Sequence, residues 1–210
     1  LAERDMRDNG GEQKYDVIAG IPDSGTAHAL GYSHKTKLPY HRLYVKYTPT
    51  WARSFVANKK DRKQVAKMKL LPVTELIKNK KMLFCEDSIV TGRQLKDTFA
   101  RLPELGACEV HVRSACPPML YKCKYLNFSP ARSESDLVSR RAIARLKEEG
   151  RELFPACIKS ESAEYKELVK EICRDLGFDS LKFRTLDDMI KAIGLPKESL
   201  CTYCWTGAEE

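Results

Sequence analysis

Short apolar runs that alternate with helical patterns are the feature that most limits how this chain can fold. Residues 15–21, 81–85 and 109–115 have the length and apolar content of strands. The first two runs end in polar turns that contain glycine, and helical patterns follow over 26–36 and 93–105. Because strands that alternate with helices pair in parallel, the sequence predicts an α/β fold, a parallel sheet flanked by helices.

The pattern changes after the Pro117-Pro118 pair. The other predicted elements are a strand at 39–46, exposed charged helices at 133–150 and 162–176, and a short helix at 186–193. We therefore expect a polar N-terminal segment (1–14), an α/β core (15–130) and a C-terminal helical appendage (131–210).

Composition narrows the class of protein further. With 210 residues, 42% of them hydrophobic, the chain can bury a core and is not expected to be mostly disordered. A mean hydropathy of −0.46 and the lack of any apolar run near about 18 residues argue against a membrane span. The chain opens at Leu1 without an apolar secretory region, so we expect a cytoplasmic protein with reduced thiols, either processed or a piece of a longer chain.

The net charge of +8 is concentrated in one stretch. Residues 35–69 contain eleven basic residues and one acid, a net charge of +10, so the rest of the chain is slightly acidic. Such a stretch predicts an anionic partner such as a polyphosphate, although charge runs often only face solvent. Aromatic residues between the basic ones keep nucleic-acid binding as a weaker alternative; they are Tyr44, Tyr47, Trp51 and Phe55.

The most informative motif is the stretch from Met82 to Gln94. Four apolar residues predict a buried strand, and Glu86 and Asp87 follow at its carboxyl end, where parallel sheets bind ligands. The next turn carries hydroxyl groups and glycine and leads into a helix, so its backbone N–H groups can hold a phosphate. The two acids can hold a ribose diol or a magnesium ion beside it. The motif therefore predicts a site for a phosphorylated ribose.

The turn after the first strand has a related pattern. Residues 21–25, Ile-Pro-Asp-Ser-Gly, follow a strand and open a helix, so they can present backbone N–H groups to a pyrophosphate. Taken alone, this turn is a weak signal, because Pro-Asp-Ser-Gly is also a common turn sequence.

Taken together, these motifs resemble those of one family. They are Gly20-Ile-Pro-Asp-Ser-Gly, Ala29-Leu-Gly-Tyr-Ser, Leu38-Pro-Tyr, Trp51-Ala-Arg-Ser-Phe, Val65-Ala-Lys-Met-Lys-Leu, Glu86-Asp-Ser-Ile-Val, Gly106-Ala-Cys-Glu-Val-His-Val-Arg, Pro117-Pro118 and Cys201-Thr-Tyr-Cys-Trp-Thr-Gly. In this order they resemble the phosphoribosyltransferase half of the glutamine phosphoribosylpyrophosphate (PRPP) amidotransferases. The resemblance runs from Tyr15 to Gly207, and the family's N-terminal glutaminase domain has no counterpart in it.

The resemblance implies a fold and an activity. The fold is the type I phosphoribosyltransferase fold. The activity is that of an amidophosphoribosyltransferase, a pentosyl-transferring enzyme that makes 5-phosphoribosylamine from PRPP with release of pyrophosphate, in the first committed step of purine synthesis. Ammonia reaches this half from the glutaminase domain of the intact protein. The family also implies homotetramers and inhibition by purine nucleotides.

The resemblance assigns roles to individual residues. Lys46 and Arg53 belong to the loop that closes over PRPP and are the catalytic candidates. Magnesium is assigned to Ser24, Glu86 and Asp87. Substrate binding is assigned to Asp23, Ser24, Gly25, Glu86, Asp87, Ser88, Ile89, Val90, Thr91, Gly92, Arg93 and Gln94.

The phosphate turn, residues 88–94, and the acidic pair before it depart from the family pattern. Glu86 replaces the usual aspartate, Thr91-Gly-Arg93 inverts the usual arginine and threonine, and Gln94 lacks a hydroxyl group. The order Thr-Gly-Arg resembles the purine-salvage phosphoribosyltransferases. The alternatives are therefore an enzyme of that type, or a non-catalytic regulator that binds PRPP or nucleotides.

Three of the eight cysteines resemble the ligands of an iron–sulfur cluster found in one branch of the family. Cys123, Cys201 and Cys204 match three ligands of a 4Fe–4S cluster, and the fourth ligand is absent from this chain. The cluster is expected to be structural and to tie the C-terminal tail to the core. A zinc site and incidental thiols remain the alternatives.

Overall fold

A computed structural model describes residues 1–8, 10, 14–46, 70–125, 131 and 133–208. The strands are β1 (Val17–Gly20), β2 (Tyr44–Lys46), β3 (Leu70–Pro72), β4 (Lys81–Glu86), β5 (Glu109–Ser114) and β6 (Ser180–Phe183). The helices are α1 (Ala2–Asp8), α2 (Gly25–Thr36), α3 (Thr74–Ile77), α4 (Arg93–Phe99), α5 (Val138–Glu148), α6 (Ala163–Leu176), α7 (Leu186–Ile193) and α8 (Tyr203–Thr206). None of these described helices combines the length and apolar character needed to cross a membrane.

Four of the strands form one sheet, and its order confirms the predicted fold class. The order is β1-β4-β5-β6. Strand β1 pairs in parallel with β4, with Val17 opposite Met82, and β5 pairs in parallel with β6, with His111 opposite Ser180. The two remaining strands, β2 and β3, form a separate antiparallel pair.

Strand β6 lies in the region that the sequence predicts to be helical. Leu181 and Phe183 are buried and alternate with the half-buried Ser180 and Lys182, which is the period of a strand with one buried face. Four residues are too few for this alternation to stand out between two strongly amphipathic helices. The C-terminal region therefore contributes a strand as well as helices.

The predicted strand at 39–46 is only partly confirmed. Residues Tyr44–Lys46 form β2, while Tyr40 makes a single parallel bridge to Ile18 of β1. Pro39 accepts a bond from the Ile18 N–H but has no N–H of its own, so the ladder beside β1 stays short.

The predicted helix at 93–105 is too long. Helix α4 ends at Phe99, and a separate 3₁₀ turn, Pro103–Leu105, follows it. Proline cannot donate the hydrogen bond that would continue an α-helix, and its ring clashes with the preceding turn. Helix α5 also begins later than predicted, at Val138, because a 3₁₀ turn (Glu134–Asp136) with a Ser133–Asp136 capping box precedes it.

The chain divides into two compact units. One unit comprises Ala2–Glu86 and Asp97–Val110, and the other comprises Asp87–Lys96 and His111–Glu210 together with Leu1. Ile18, Phe84 and Leu102 lie in the core of the first unit, and Val138 and Ile172 in the core of the second. The sequence-based division at residues 14 and 130 stays a prediction.

Candidate functional site

The turn after β1 lies directly against the carboxyl end of β4. The Ile21 N–H donates to the Cys85 carbonyl at 3.0 Å, and the Gly25 N–H closes the turn onto the Ile21 carbonyl at 2.9 Å. A Cβ atom on Gly25 would lie 2.2 Å from the Cys85 oxygen, and one on Gly20 would lie 2.6 Å from the Gly25 oxygen. Both positions therefore require glycine, because neighbouring backbone atoms occupy the space that a Cβ atom would need.

This turn places two oxygen-bearing side chains together. The Ser24 hydroxyl donates to Glu86 Oε1 at 3.4 Å. Glu86 is buried at the end of β4, whereas Asp23 and Ser24 are exposed, and the Pro22–Asp23 peptide is cis. Hydroxyl and carboxylate oxygens are the ligands that Mg²⁺ prefers, so Ser24 and Glu86 fit the predicted magnesium role chemically.

Lys46, at the end of β2, reaches the same turn. Its Nζ lies 2.8 Å from Asp23 Oδ2, and the lysine and aspartate side chains are 44% and 75% exposed. The structure thus brings the predicted catalytic lysine to the predicted pyrophosphate turn. Arg53, the second catalytic candidate, lies outside the described residues, as does most of the basic stretch.

Tyr44 anchors the strand that carries Lys46. Its ring packs against Phe84 at 5.9 Å and Phe99 at 6.1 Å, and its hydroxyl donates to the Thr98 carbonyl at 3.0 Å. Burial raises the pKa of Tyr44 well above its usual value, so the phenol stays neutral. Tyr44 therefore belongs to the core and does not offer a face for stacking on a nucleic-acid base.

The acidic residue that follows Glu86 closes its own turn. Asp87 Oδ1 accepts from the Ser88 N–H at 2.5 Å and from the Ser88 hydroxyl at 3.2 Å. Its backbone carbonyl accepts from the Cys116 N–H, which follows β5. Burial, and then the negative charge of Asp87, raise the pKa of Cys116 to about 11, so this thiol stays protonated near neutral pH.

The remainder of this turn, residues 90–92, packs against α5 and α6. The Val138 N–H donates to the Val90 carbonyl at 2.9 Å, and the Arg141 guanidinium donates to the Thr91 carbonyl at 2.8 Å. Gly92 has φ +67°, and a Cβ there would lie 2.7 Å from a methyl carbon of Leu176. Contacts with α5 and α6 therefore hold the backbone of residues 90–92 in place. These three residues are predicted to bind substrate, although their side chains are small or apolar.

Arg93 and Gln94, two of the residues that depart from the family pattern, are both exposed. Arg93 forms an ion pair with Asp136, at 2.8 Å between Nη2 and Oδ1, and Gln94 is the second residue of α4. The side chain of Arg93 is therefore held by the segment before α5.

The three predicted cluster cysteines lie near one another. The pKa of Cys204 is raised to about 11. Burial is the main cause, and the charge and hydrogen bond of Cys123 and the charge of Cys201 add to it. The Cys204 carbonyl accepts from the N–H groups of Leu120 and Tyr121, at 2.9 and 3.0 Å, so the tail is tied to this segment by its backbone. All eight cysteines lie in the described part of the chain, and none forms a disulfide.

The cysteines fit a cluster in chemistry and proximity but not in number. A 4Fe–4S cluster needs four thiolates, and the neighbourhood of Cys204 supplies Cys123 and Cys201 in addition. Among the described residues, no group of three or more His, Cys, Asp or Glu side chains is arranged to hold a metal ion. A fourth ligand would have to come from elsewhere, and the thiols would have to deprotonate and rearrange around the cluster.

Sequence reasoning missed Arg141 and Asp136, which support the phosphate turn. Arg141 lies 50 residues after Thr91, and Asp136 lies 43 residues after Arg93. Contacts between residues so far apart leave no local sequence pattern. In the sequence, α5 has the pattern of an ordinary exposed helix with several arginines.

Solved structures with this fold identify its class. The chain superimposes with a TM-score of 0.70 and 27% identity on a solved structure of the allosteric regulatory enzyme of purine biosynthesis. The match covers 97% of this chain and 39% of the other. The TM-score is 0.69, with 28% identity, for the glutamine PRPP amidotransferase of Bacillus subtilis complexed with ADP and GMP, covering 93% and 38%. The fold is that of the type I phosphoribosyltransferases.

Within this class, the sequence is similar to one family. The chain is 30% identical over 195 residues to the amidophosphoribosyltransferase of Mycobacterium bovis, and 32% identical over 193 residues to amidophosphoribosyltransferase 1 of Arabidopsis thaliana. These matches cover 91% of this chain but only 32% and 29% of the relatives. No family model matches the chain. The chain is thus a relative of the amidophosphoribosyltransferases that spans about a third of their length.

Proposed function

We propose that this chain is the phosphoribosyltransferase part of an amidophosphoribosyltransferase. It transfers the 5-phosphoribosyl group of PRPP to ammonia, which gives 5-phosphoribosylamine and pyrophosphate in the first committed step of purine synthesis. The observation that carries the proposal is the similarity to amidophosphoribosyltransferases over 91% of the chain, which includes both predicted turns. The proposal extends to a glutaminase domain that supplies the ammonia, a homotetramer and a cytoplasmic location.

The first turn and Lys46 are assigned to the pyrophosphate. The C1–O bond of PRPP breaks and negative charge develops on the leaving pyrophosphate, where cations and N–H groups stabilise the transition state. Lys46 lies at this turn, and within the described part of the chain its ion partner is the exposed carboxylate of Asp23. From its position in the sequence, Arg53 is assigned to stabilise the same negative charge on the pyrophosphate.

Magnesium is assigned to Ser24, Glu86 and the adjacent Asp87. A bound Mg²⁺ would neutralise the pyrophosphate and orient it. The contact of Ser24 with the buried Glu86 supports this assignment, because it puts two hard oxygen ligands within 3.4 Å of each other. The same carboxylates are assigned to the ribose hydroxyls.

The phosphate turn is assigned to the 5′-phosphate. Support comes from the fixed backbone at Thr91 and Gly92, since N–H groups held in one direction bind anions without reorganisation. Ammonia then attacks C1, a C1–N bond forms, and a proton leaves the new ammonium group. This reaction needs no nucleophile from the protein.

The iron–sulfur assignment applies to the intact protein. Cys123, Cys201 and Cys204 would supply three thiolates, and a cysteine outside their described neighbourhood would supply the fourth. When bound, the cluster would add a crosslink between the tail and the segment that the Cys204 carbonyl already contacts. Iron and sulfide analysis of anaerobically purified protein tests it; a C204S variant should lose the bound iron.

The acceptor experiment separates this function from its alternatives. Pyrophosphate release from Mg²⁺-PRPP is measured in the intact protein with ammonium, with hypoxanthine or xanthine, and with no acceptor. Ammonium-dependent release supports the proposal, and release only with a purine base supports the salvage-type enzyme that Thr91-Gly-Arg93 suggests. PRPP binding without release in any mixture supports the non-catalytic regulator.

A further inference from the structure

We propose that Arg141 is a positioning residue for the phosphate turn: its guanidinium holds the Thr91 carbonyl so that the neighbouring N–H groups face the 5′-phosphate. The inference rests on the proposed function, because the anion is the 5′-phosphate of PRPP. Arg141 belongs to α5, far from the motif in sequence, and neither the sequence nor the similarity to known proteins assigns it a role.

Two successive carbonyls of the turn are bonded to the same helix. The Val90 carbonyl accepts from the Val138 N–H at 2.9 Å, and the Thr91 carbonyl accepts from Arg141 Nη2 at 2.8 Å. Val138 is the first residue of α5, and Arg141 lies one turn further along. Both carbonyl oxygens therefore point towards α5.

The planarity of the peptide bond then fixes the N–H groups. In a trans peptide, the C=O and N–H bonds point in opposite directions. The peptide bonds that join Val90, Thr91 and Gly92 are trans. The N–H of Thr91 and that of Gly92 therefore point away from α5. With Gly92 at φ +67°, this is the kind of backbone that forms an anion-binding concavity.

The contacts of Arg141 argue against a direct role in binding the anion. Its Nη1 donates to the Asp136 carbonyl at 2.6 Å, and Nη2 lies 3.6 Å from Asp175 Oδ2 as well as donating to Thr91. The side chain is only 26% exposed. With three acceptors around it, the guanidinium acts on the phosphate through the Thr91 peptide.

Arg145 provides a matched control on the same helix. It also forms an ion pair with Asp175, at 3.3 Å, and its Nε donates to Glu171 at 2.8 Å. Among the described residues, its partners Glu171 and Asp175 both belong to α6 and not to the phosphate turn. Loss of Arg145 therefore disturbs the same ion-pair network and leaves the Thr91 carbonyl bonded.

The test measures the affinity of the intact protein for ribose 5-phosphate, which has the 5′-phosphate, and for Mg²⁺-pyrophosphate, which lacks it. We expect R141A to weaken ribose 5-phosphate binding by about tenfold or more and to leave pyrophosphate binding unchanged. R145A should change either affinity by less than about twofold. R141K, which can replace one donor but not the planar fork, should fall between wild type and R141A.

Amide NMR measures the ligand-induced shifts of individual N–H resonances, which a loss of stability alone would not change. Ribose 5-phosphate should shift the Thr91 and Gly92 N–H resonances downfield in wild type and in R145A, but much less in R141A. If R141A does not fold, R141Q and R141K carry the same comparison. Equal weakening in R141A and R145A, or equal loss of both ligands in R141A, would overturn the inference. Wild type that binds neither ligand would overturn the proposed function as well.

Discussion

Lys46 Nζ lies 2.8 Å from Asp23 Oδ2, and this ion pair joins the end of β2 to the turn after β1. Both side chains are substantially exposed, and exposed ion pairs contribute only about 0.2–1 kcal/mol. The ammonium group can therefore exchange Asp23 for a more highly charged anion at little cost. The pair places a cation at the proposed pyrophosphate site before the substrate arrives.

Replacement of Lys46 should impair turnover without destabilising the fold. We expect K46Q to lower kcat/KM for PRPP by about 10²–10³, the usual effect of removing a donor to developing negative charge. The free energy of unfolding should change by less than about 0.5 kcal/mol. The matched control is K35Q, which removes another exposed lysine whose partner is Glu3. Similar small effects in both variants would contradict the role of Lys46.

The glycine at the start of α2 should not tolerate even a methyl group. A Cβ on Gly25 would lie 2.2 Å from the Cys85 carbonyl oxygen, which is backbone and cannot swing aside. We expect G25A to lower the free energy of unfolding by about 1–3 kcal/mol, measured by urea denaturation. In the same helix, G31A meets nothing within 4 Å, so it should stabilise the protein by about 0.5–1 kcal/mol. Equal effects of the two variants would contradict this packing.

Glu86 should be needed for magnesium-dependent substrate binding. We expect E86Q to weaken the binding of Mg²⁺-PRPP, measured by calorimetry, by about tenfold or more, because a neutral amide is a poorer ligand for a hard cation. The exposed Glu75 of α3 offers the control, and E75Q should bind as wild type does. Unaltered Mg²⁺-PRPP affinity in E86Q would refute the assignment.

The ion pairs of Asp175 should give the second unit a stability that depends on pH. Burial alone would raise the pKa of Asp175, but the hydrogen bond from Lys96 and the charge of Arg145 outweigh it and lower this pKa from its usual value. A lowered pKa means that the carboxylate stabilises the fold above its unfolded pKa and stops doing so as pH falls through the folded value. The partners are partly exposed, so the contribution is about 1 kcal/mol.

Urea denaturation of wild type and D175N from neutral to acidic pH checks this. The variant should be less stable near pH 7, and the difference should shrink as pH falls below about 4. A difference that stays constant over this range would argue against an ionised Asp175 as its cause.

Sequence reasoning succeeded where the signal is local. The first turn and the residues from Glu86 to Gly92 are read from strand, turn and helix patterns in one continuous segment, and α2, α6 and α7 begin and end close to the predicted residues. Gly25 shows where the sequence stops being informative. The motif includes this glycine, but only the structure shows that the Cys85 carbonyl leaves no room for a side chain there.

The remaining features depend on contacts between distant residues. Arg141 meets Thr91 because α5 packs against the phosphate turn, and no spacing in the sequence encodes that contact. Strand β6 is too short for its alternation to be recognised. Tyr44 lies among basic residues in the sequence, which favours stacking on a base, but its ring is buried against Phe84. Tertiary packing decides each of these cases.

Formation of the C1–N bond distinguishes an amidophosphoribosyltransferase from both alternatives. The intact protein is incubated with Mg²⁺-PRPP and ¹⁵N-ammonium, the product is followed by NMR, and pyrophosphate is measured in the same sample. We predict ¹⁵N bonded to C1 of 5-phosphoribosylamine together with one pyrophosphate for each bond formed, and a loss of both in E86Q. Pyrophosphate release without any C1–¹⁵N signal, or transfer only to a purine base, would contradict the proposed function.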